Sequence, residues 1–188
     1  MNNDLVFRIK NKDNKAFAEL VDTFGIKVLN LCISFTKNLE DAEDLTQEVF
    51  TKVYQSINDF KGNASLATWI YRITVNQCCE NLRKNKRLKR SGQKVQIDFA
   101  NQNVSFESSS NPEDALVNLE YRKLLFSALD KLAENQRIAF TMKQFEGFTY
   151  QEIAEIMELS HAAVESLIFR ARQNLIKDLK SVYQNYYS

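Results

Sequence analysis

An all-α fold, built as two small helical domains joined by a flexible linker, is predicted by three observations. The 188 residues contain one proline and four glycines, too few for the many turns of a β-protein. Apolar residues recur at spacings of three and four through most of the chain. The stretch 91–112, "SGQKVQIDFANQNVSFESSSNP", breaks that pattern, is polar throughout and ends in the only proline. A structureless connection of about twenty residues is uncommon inside a compact domain, so it reads as a linker between domains at 1–90 and 113–188.

The elements follow in order. Asp4–Lys10 and Lys15–Lys37 are expected helices, the second carrying Phe17, Leu20, Val21, Phe24, Val28, Leu31, Cys32 and Phe35 as its apolar stripe. Gly25 lies inside that stripe and argues against one unbroken helix. The next helix starts near Asn38, a cap with Asp41 three residues on, and runs to about Ile57. After "NDFKGNAS" a fourth covers Ser65 to Leu88, completing an N-terminal bundle. Asn111, Pro112, Glu113 and Asp114 form a helix-start signature. Helices are then expected over 112–131, 134–146, 149–157 and 160–182, with Gly147 as the stop after the second.

Charge is segregated behind a formal total of +1. Residues 40–48, "EDAEDLTQE", hold five acids and no base, whereas 81–97, "NLRKNKRLKRSGQKVQI", hold seven bases and no acid. Opposed blocks of this kind point to two kinds of partner surface. No apolar run has the length of a membrane span and the first residues lack a signal-peptide core, so a cytoplasmic location is expected. Cys32, Cys78 and Cys79 lack the spacing of a zinc site or a redox pair and read as buried small hydrophobes. With His161 as the single histidine and no glycine-rich phosphate loop, no enzyme, metal site or cofactor is expected.

"TYQEIAEIMELSHAAVESLIFRAR", Thr149 to Arg172, contains two short helices and a turn. Thr149 and Glu152 make a capping box, and Ser160 is placed to cap the second helix. There Val164, Leu167, Ile168, Ala171 and Leu175 form the packing face. At 100° per residue, Ala162, Glu165, Ser166, Phe169 and Gln173 lie opposite, flanked by Arg170 and Arg172. Small residues allow close approach to a major groove, polar ones meet base edges, Phe169 suits a thymine methyl, and the arginines suit phosphates. The same pattern also fits a helical hairpin with a solvated outer face, and periodicity alone leaves the two equal.

In "FKGNASLATWIYRITVNQCCENLRKNKRLKR", Phe60 to Arg90, one stripe is Leu66, Trp69, Ile70 and Ile73, and a second is Tyr71, Val75, Cys78 and Leu82. Between them runs a polar ribbon of Ser65, Arg72, Asn76, Arg83 and Arg87. The loop Phe60, Lys61, Gly62, Asn63, Ala64, Ser65 offers an aromatic ring, free backbone groups and a permissive glycine for an unstacked base. The basic helix end suits phosphate, although Lys and Arg clusters are often solvated helix ends. In "NLEDAEDLTQEVFTKVYQSI", Ala42, Leu45, Val49, Val53 and Ile57 face inward. Asp41, Asp44, Gln47, Glu48, Thr51 and Gln55 face outward, with Phe50 and Tyr54 stacked on the flank. Carboxylates beside aromatics fit a protein partner offering arginines, against a solvated face as the default.

In this order, "DAEDLTQEVFTKVY", "FKGNASLATWIYRITVNQCCENLRK" and "LAENQRIAFTMKQFEGFTYQEIAEIMELSHAAVESLIFRARQNL" resemble the bacterial extracytoplasmic-function sigma factors. These are small promoter-specificity subunits of RNA polymerase. The resemblance covers nearly the whole chain apart from linker and tail, and implies roles at matching positions. Asp41, Asp44, Gln47, Glu48 and Tyr54 would dock on core RNA polymerase. Phe60, Lys61, Gly62, Asn63, Ala64, Ser65 and Asn76 would capture a flipped base of the minus-ten element of promoter DNA, with Arg83 and Lys84 on its backbone. Ala162, Glu165, Ser166, Phe169, Arg170 and Arg172 would read the minus-thirty-five duplex. An anti-sigma factor, soluble or membrane-bound, is a further partner that the resemblance admits.

Three positions depart from the family pattern. Glu165 and Leu167 stand where many members carry a base, and Ala133 stands where proline is frequent. Glu165 either accepts from a cytosine amino group or repels phosphate. Two other functions remain on the residues alone: a free-standing helix-turn-helix regulator, and a helical adaptor acting through protein contacts.

Overall fold

The computed structural model describes residues 2–36, 38–90 and 124–186. The expected linker 91–112, and the expected helix start at Asn111 to Asp114, lie outside the described residues. Every element among the described residues is helical: α1 (Asn2–Lys10), α2 (Asn14–Thr36), α3 (Leu39–Ser56), a single 3-10 turn (Ile57–Asp59), and α4 (Leu66–Arg90). The C-terminal half contains a helical stretch over 124–131, here α5, then α6 (Glu134–Gln144), α7 (Tyr150–Met157) and α8 (His161–Tyr186).

α1 turns back onto α2 through Lys12, whose φ of 63° lies in the left-handed region. The hairpin is closed by Arg8, which donates to Asp13 at 3.0 Å and Glu19 at 3.1 Å. α2 is unbroken despite Gly25. A Cβ there would meet only Val21 Cγ1 at 3.9 Å, so no close approach requires the glycine. A helix-interior glycine costs about 1 kcal/mol, less than one buried leucine gains, so burial of Leu20, Val28 and Leu31 outweighs it.

α3 begins where the Asn38 side chain accepts from the Asp41 amide at 3.1 Å, and buries Ala42, Leu45, Val49 and Val53 against α2 and α4. Phe50 differs from expectation: it is 7 % exposed and belongs to the core. Tyr54 stays on the surface, with its ring edge-on to Phe17 at 5.0 Å and not stacked on Phe50. α4 starts at Ser65, whose Oγ accepts from the Thr68 amide at 3.0 Å. Thr74, absent from either expected stripe, is fully buried and turns its hydroxyl back to the Ile70 carbonyl at 3.0 Å.

Gly147 (φ 70°) ends the turn after α6, and the Thr149–Glu152 capping box starts α7. α7 stops at Glu158, a left-handed residue (φ 56°), whose neighbour Leu159 donates to the Ala154 carbonyl at 2.9 Å. Ser160 Oγ then accepts from the Ala163 amide at 3.2 Å to start α8. A small cluster of Leu129, Leu132, Phe140, Ala171 and Leu175 ties α5, α6 and α8 together.

The main core does not stop at the N-terminal bundle. It continues from Tyr71 and Val75 of α4 into Phe148, Ile153 and Ile156. Tyr71 meets Phe148 edge-on at 4.9 Å. Arg137 of α6 is 2 % exposed; it pairs with Asp130 at 2.7 Å and donates to the Ser34 and Phe35 carbonyls at 3.1 and 3.3 Å. Those carbonyls close the C-terminal end of α2, where a cation is favoured by the helix dipole.

Candidate nucleic-acid interface

α8 carries two organised faces. Val164, Ile168, Ala171 and Leu175 are buried, with Leu167 partly so. On the other side Ala162, Glu165, Arg170 and Arg172 are exposed, and Phe169 is 63 % exposed. Ser166 is half-buried at the edge. A large aromatic ring held in water between two arginines, on a helix whose reverse is packed, is a surface made to meet something. His161 opens this face, 3.8 Å from Glu165 and against the Tyr150 ring at 5.7 Å.

α4 is wedged on two sides as its stripes require, and Asn76 is exposed between them. Arg83 and Lys84 lie further along the exposed side, with Arg87 beyond. The preceding loop leaves Lys61, Gly62, Asn63 and Ser65 exposed, with Phe60 and Ala64 half-buried. Gly62 has φ 76°, a conformation that L side chains adopt at a cost. Phe60 packs against Trp69 with ring centroids 5.3 Å apart, leaving part of its face available. Lys10 of α1 holds the loop from behind, donating to the Phe60 carbonyl at 2.9 Å and the Asn58 carbonyl at 3.3 Å.

On α3, Asp41, Asp44, Gln47, Glu48 and Tyr54 are all exposed. Asp44, Gln47, Glu48, Thr51 and Gln55 line a shallow groove closed on one side by Gln77 of α4. A second groove runs from Glu48 and Glu80 to Arg83, Lys84 and Arg87, so opposite charges face each other across a few residues. No cluster of three or more metal-ligating side chains occurs among the described residues. Nor is any described helix long and apolar enough to cross a membrane.

These features meet the comparisons with known proteins. The family model of Sigma-70 region 2 matches residues 20–88, and that of Sigma-70, region 4 matches residues 122–175. The "ECF RNA polymerase sigma-E factor" of Escherichia coli K12 is 35% identical over 175 residues, covering 90% of this chain and 89% of the relative. The chain belongs to the extracytoplasmic-function sigma factors. The "RNA polymerase sigma-H factor" of Pseudomonas aeruginosa is 31% identical over 183 residues, covering 94% of this chain and 92% of the relative. As a member of this family, the protein is an alternative sigma factor that directs transcription initiation at selected promoters.

Two solved structures share the fold. CnrH, in complex with the cytosolic domain of CnrY, is 23% identical, with TM-score 0.67 over 96% of this chain and 97% of its own. RpoE of Bartonella quintana, in complex with the anti-sigma factor NepR, is also 23% identical, with TM-score 0.65 over 88% and 98%.

The sigma factor's polar ribbon on α4 is partly occupied, which its sequence does not disclose. Arg72 donates twice to the Glu155 carbonyl, at 3.0 and 2.7 Å, and pairs with Glu158 at 2.9 Å. Arg83 forks onto Glu134 at 3.2 and 2.6 Å, and its guanidinium is held more firmly protonated by that hydrogen bond. The thiols are buried: Cys79 is pushed up to about 12 by burial, and Cys78 is pushed up strongly by the same cause. Cys32 is lowered by a hydrogen bond with Cys78.

Proposed function

We propose that this sigma factor divides its work among three outward helix faces. Residues 1–90 form one functional domain and 113–188 the other, with 91–112 joining them. Asp41, Asp44, Gln47, Glu48 and Tyr54 on α3 dock on core RNA polymerase, where exposed carboxylates beside one aromatic suit an arginine-bearing helical partner. The loop from Phe60 to Ser65, with Asn76 one helix on, captures an unstacked base of the minus-ten element, while Arg83 and Lys84 hold its backbone. On α8, Ala162, Glu165, Ser166, Phe169, Arg170 and Arg172 read the minus-thirty-five duplex.

The observation that carries this reading is the pairing of two faces on each nucleic-acid helix: Phe169 is 63 % exposed while Ile168 beside it is 1 % exposed. Capturing one base offsets part of an unpairing cost of a few kcal/mol, so strand opening needs no nucleotide hydrolysis by this chain. The protein thus works without chemistry or a cofactor of its own, and in the cytoplasm, where its polymerase and promoter are. Two fold relatives are held in complexes with other proteins, one named an anti-sigma factor, and an equivalent partner, soluble or membrane-bound, fits here.

The test is transcription with purified core polymerase on a library of genomic fragments. Wild-type protein enriches a promoter set; Asn76→Ala relaxes preference at the minus-ten position and Phe169→Ala at the minus-thirty-five position, by about five- to a hundredfold each. Variants that both keep the wild-type preference would remove the site assignments, and no enrichment by the wild type would remove the function.

A further inference from the structure

The two arginines that α4 offers beside Asn76 are held by the protein's own C-terminal half. Arg72, Asn76 and Arg83 fall within about 40° of one another around α4, and Arg72 and Arg83 stand about 16 Å apart along it. Each cation has an anionic partner from beyond the linker. Arg72 grips the Glu155 carbonyl, at the electronegative end of α7, together with the Glu158 carboxylate. Arg83 takes both oxygens of Glu134 at the start of α6. A two-oxygen fork is the geometry in which a guanidinium also binds phosphate.

We propose that Glu134, Glu158 and the Glu155 carbonyl act as phosphate mimics, so that in the free sigma factor the C-terminal half occupies the two guanidinium groups, Arg72 and Arg83, that flank Asn76 on the minus-ten helix. This rests on the assignment of α4 to the minus-ten strand given above. Strand and C-terminal half compete for the same guanidinium groups, and the strand gains them only when the halves part. Parting is also what simultaneous reading requires: elements about 25 base pairs apart are separated by about 85 Å of duplex, whereas α4 and α7 are in contact here. The α8 reading face is left out of this contact, since Phe169, Arg170 and Arg172 remain exposed. Masking is therefore selective for the single strand.

Two features support a dedicated contact. Glu158 sits at φ 56°, where glycine is the usual residue, and its side chain is the one that reaches Arg72. Arg137 and the Tyr71–Phe148 contact hold the halves in register, so the exposed pairs need supply only modest stabilisation.

The experiment compares the full-length chain with Glu134→Gln/Glu158→Gln in fluorescence anisotropy, using a labelled single-stranded 30-mer of random sequence. A second variant, Glu40→Gln/Glu43→Gln, makes the same change in net charge at exposed positions on α3. The mimic predicts that E134Q/E158Q binds the strand about threefold to tenfold more tightly than wild type, from two exposed ion pairs. E40Q/E43Q should stay within about twofold of wild type, and duplex of the same random sequence should bind E134Q/E158Q within about twofold of wild type. Equal strand affinity for wild type and E134Q/E158Q, or equal tightening by both double variants, would overturn the proposal. Promoter-directed transcription by wild-type holoenzyme, measured alongside, reports on the assigned function separately.

Discussion

Glu146 stands at the loop between α6 and α7, half-buried where Lys27 of α2 and Tyr71 of α4 converge. Burial pushes its carboxyl up to about 7, against the attraction of Lys27. Tyr71 is pushed up to about 12, first by burial and then by the nearby carboxylates of Glu146 and Glu152. The sign follows from linkage: folded Glu146 binds its proton more tightly than the unfolded chain does. Its stabilising effect is complete below the ordinary carboxylate range near 4.5 and is lost as pH rises through about 7. The ceiling on the loss is about 3 kcal/mol, and about 1 kcal/mol is expected because the group is partly exposed and screened. Glu146→Gln should therefore melt a few degrees higher than wild type at pH 8, with the gain vanishing toward pH 4.5 in thermal unfolding scans. A gain that is the same at both pH values would show that ionisation is not its source. The position is invisible in the sequence, because Glu146 reads as an ordinary surface acid next to a turn glycine.

Helix ends were the most legible elements, since a cap and its partner lie three residues apart. Asn38 with Asp41, Thr149 with Glu152, and Ser160 with Ala163 all take the expected bonds. Side-chain placement around each helix was less legible. Periodicity places Phe50 on the flank of α3, but the side chain is buried in the main core, and Tyr54 meets Phe17 on a different helix. α6 is the helix with a visible defect: Ala133 sits in N-cap geometry (φ −60°, ψ 145°) with no side-chain cap. Ala133→Ser should supply an acceptor for the first-turn amides and stabilise the chain by about 1 kcal/mol, read as a shift of the denaturation midpoint. An unchanged midpoint would mean that water already serves those amides equally well.

Across the molecule, the sequence conveys the fold class and the order of the three outward faces but not the docking of the two halves. Its bonds join residues 83, 51 and 103 positions apart, and no local pattern announces Arg72 with Glu155, Arg83 with Glu134, or Arg137 with Ser34. For the same reason the bond from Lys10 to the Phe60 carbonyl, 50 residues away, has no local signature in the sequence. What the sequence does convey is that α3 leaves its carboxylates outward while α4 and α8 present their polar faces. The proposed division of labour, with α3 gripping the polymerase while α4 and α8 meet DNA, stands or falls on co-elution of Asp44→Lys/Glu48→Lys with purified core polymerase. The expected result is holoenzyme assembly weakened by more than about tenfold, with free-chain affinity for DNA not reduced and folding intact. Assembly at the wild-type level would contradict it.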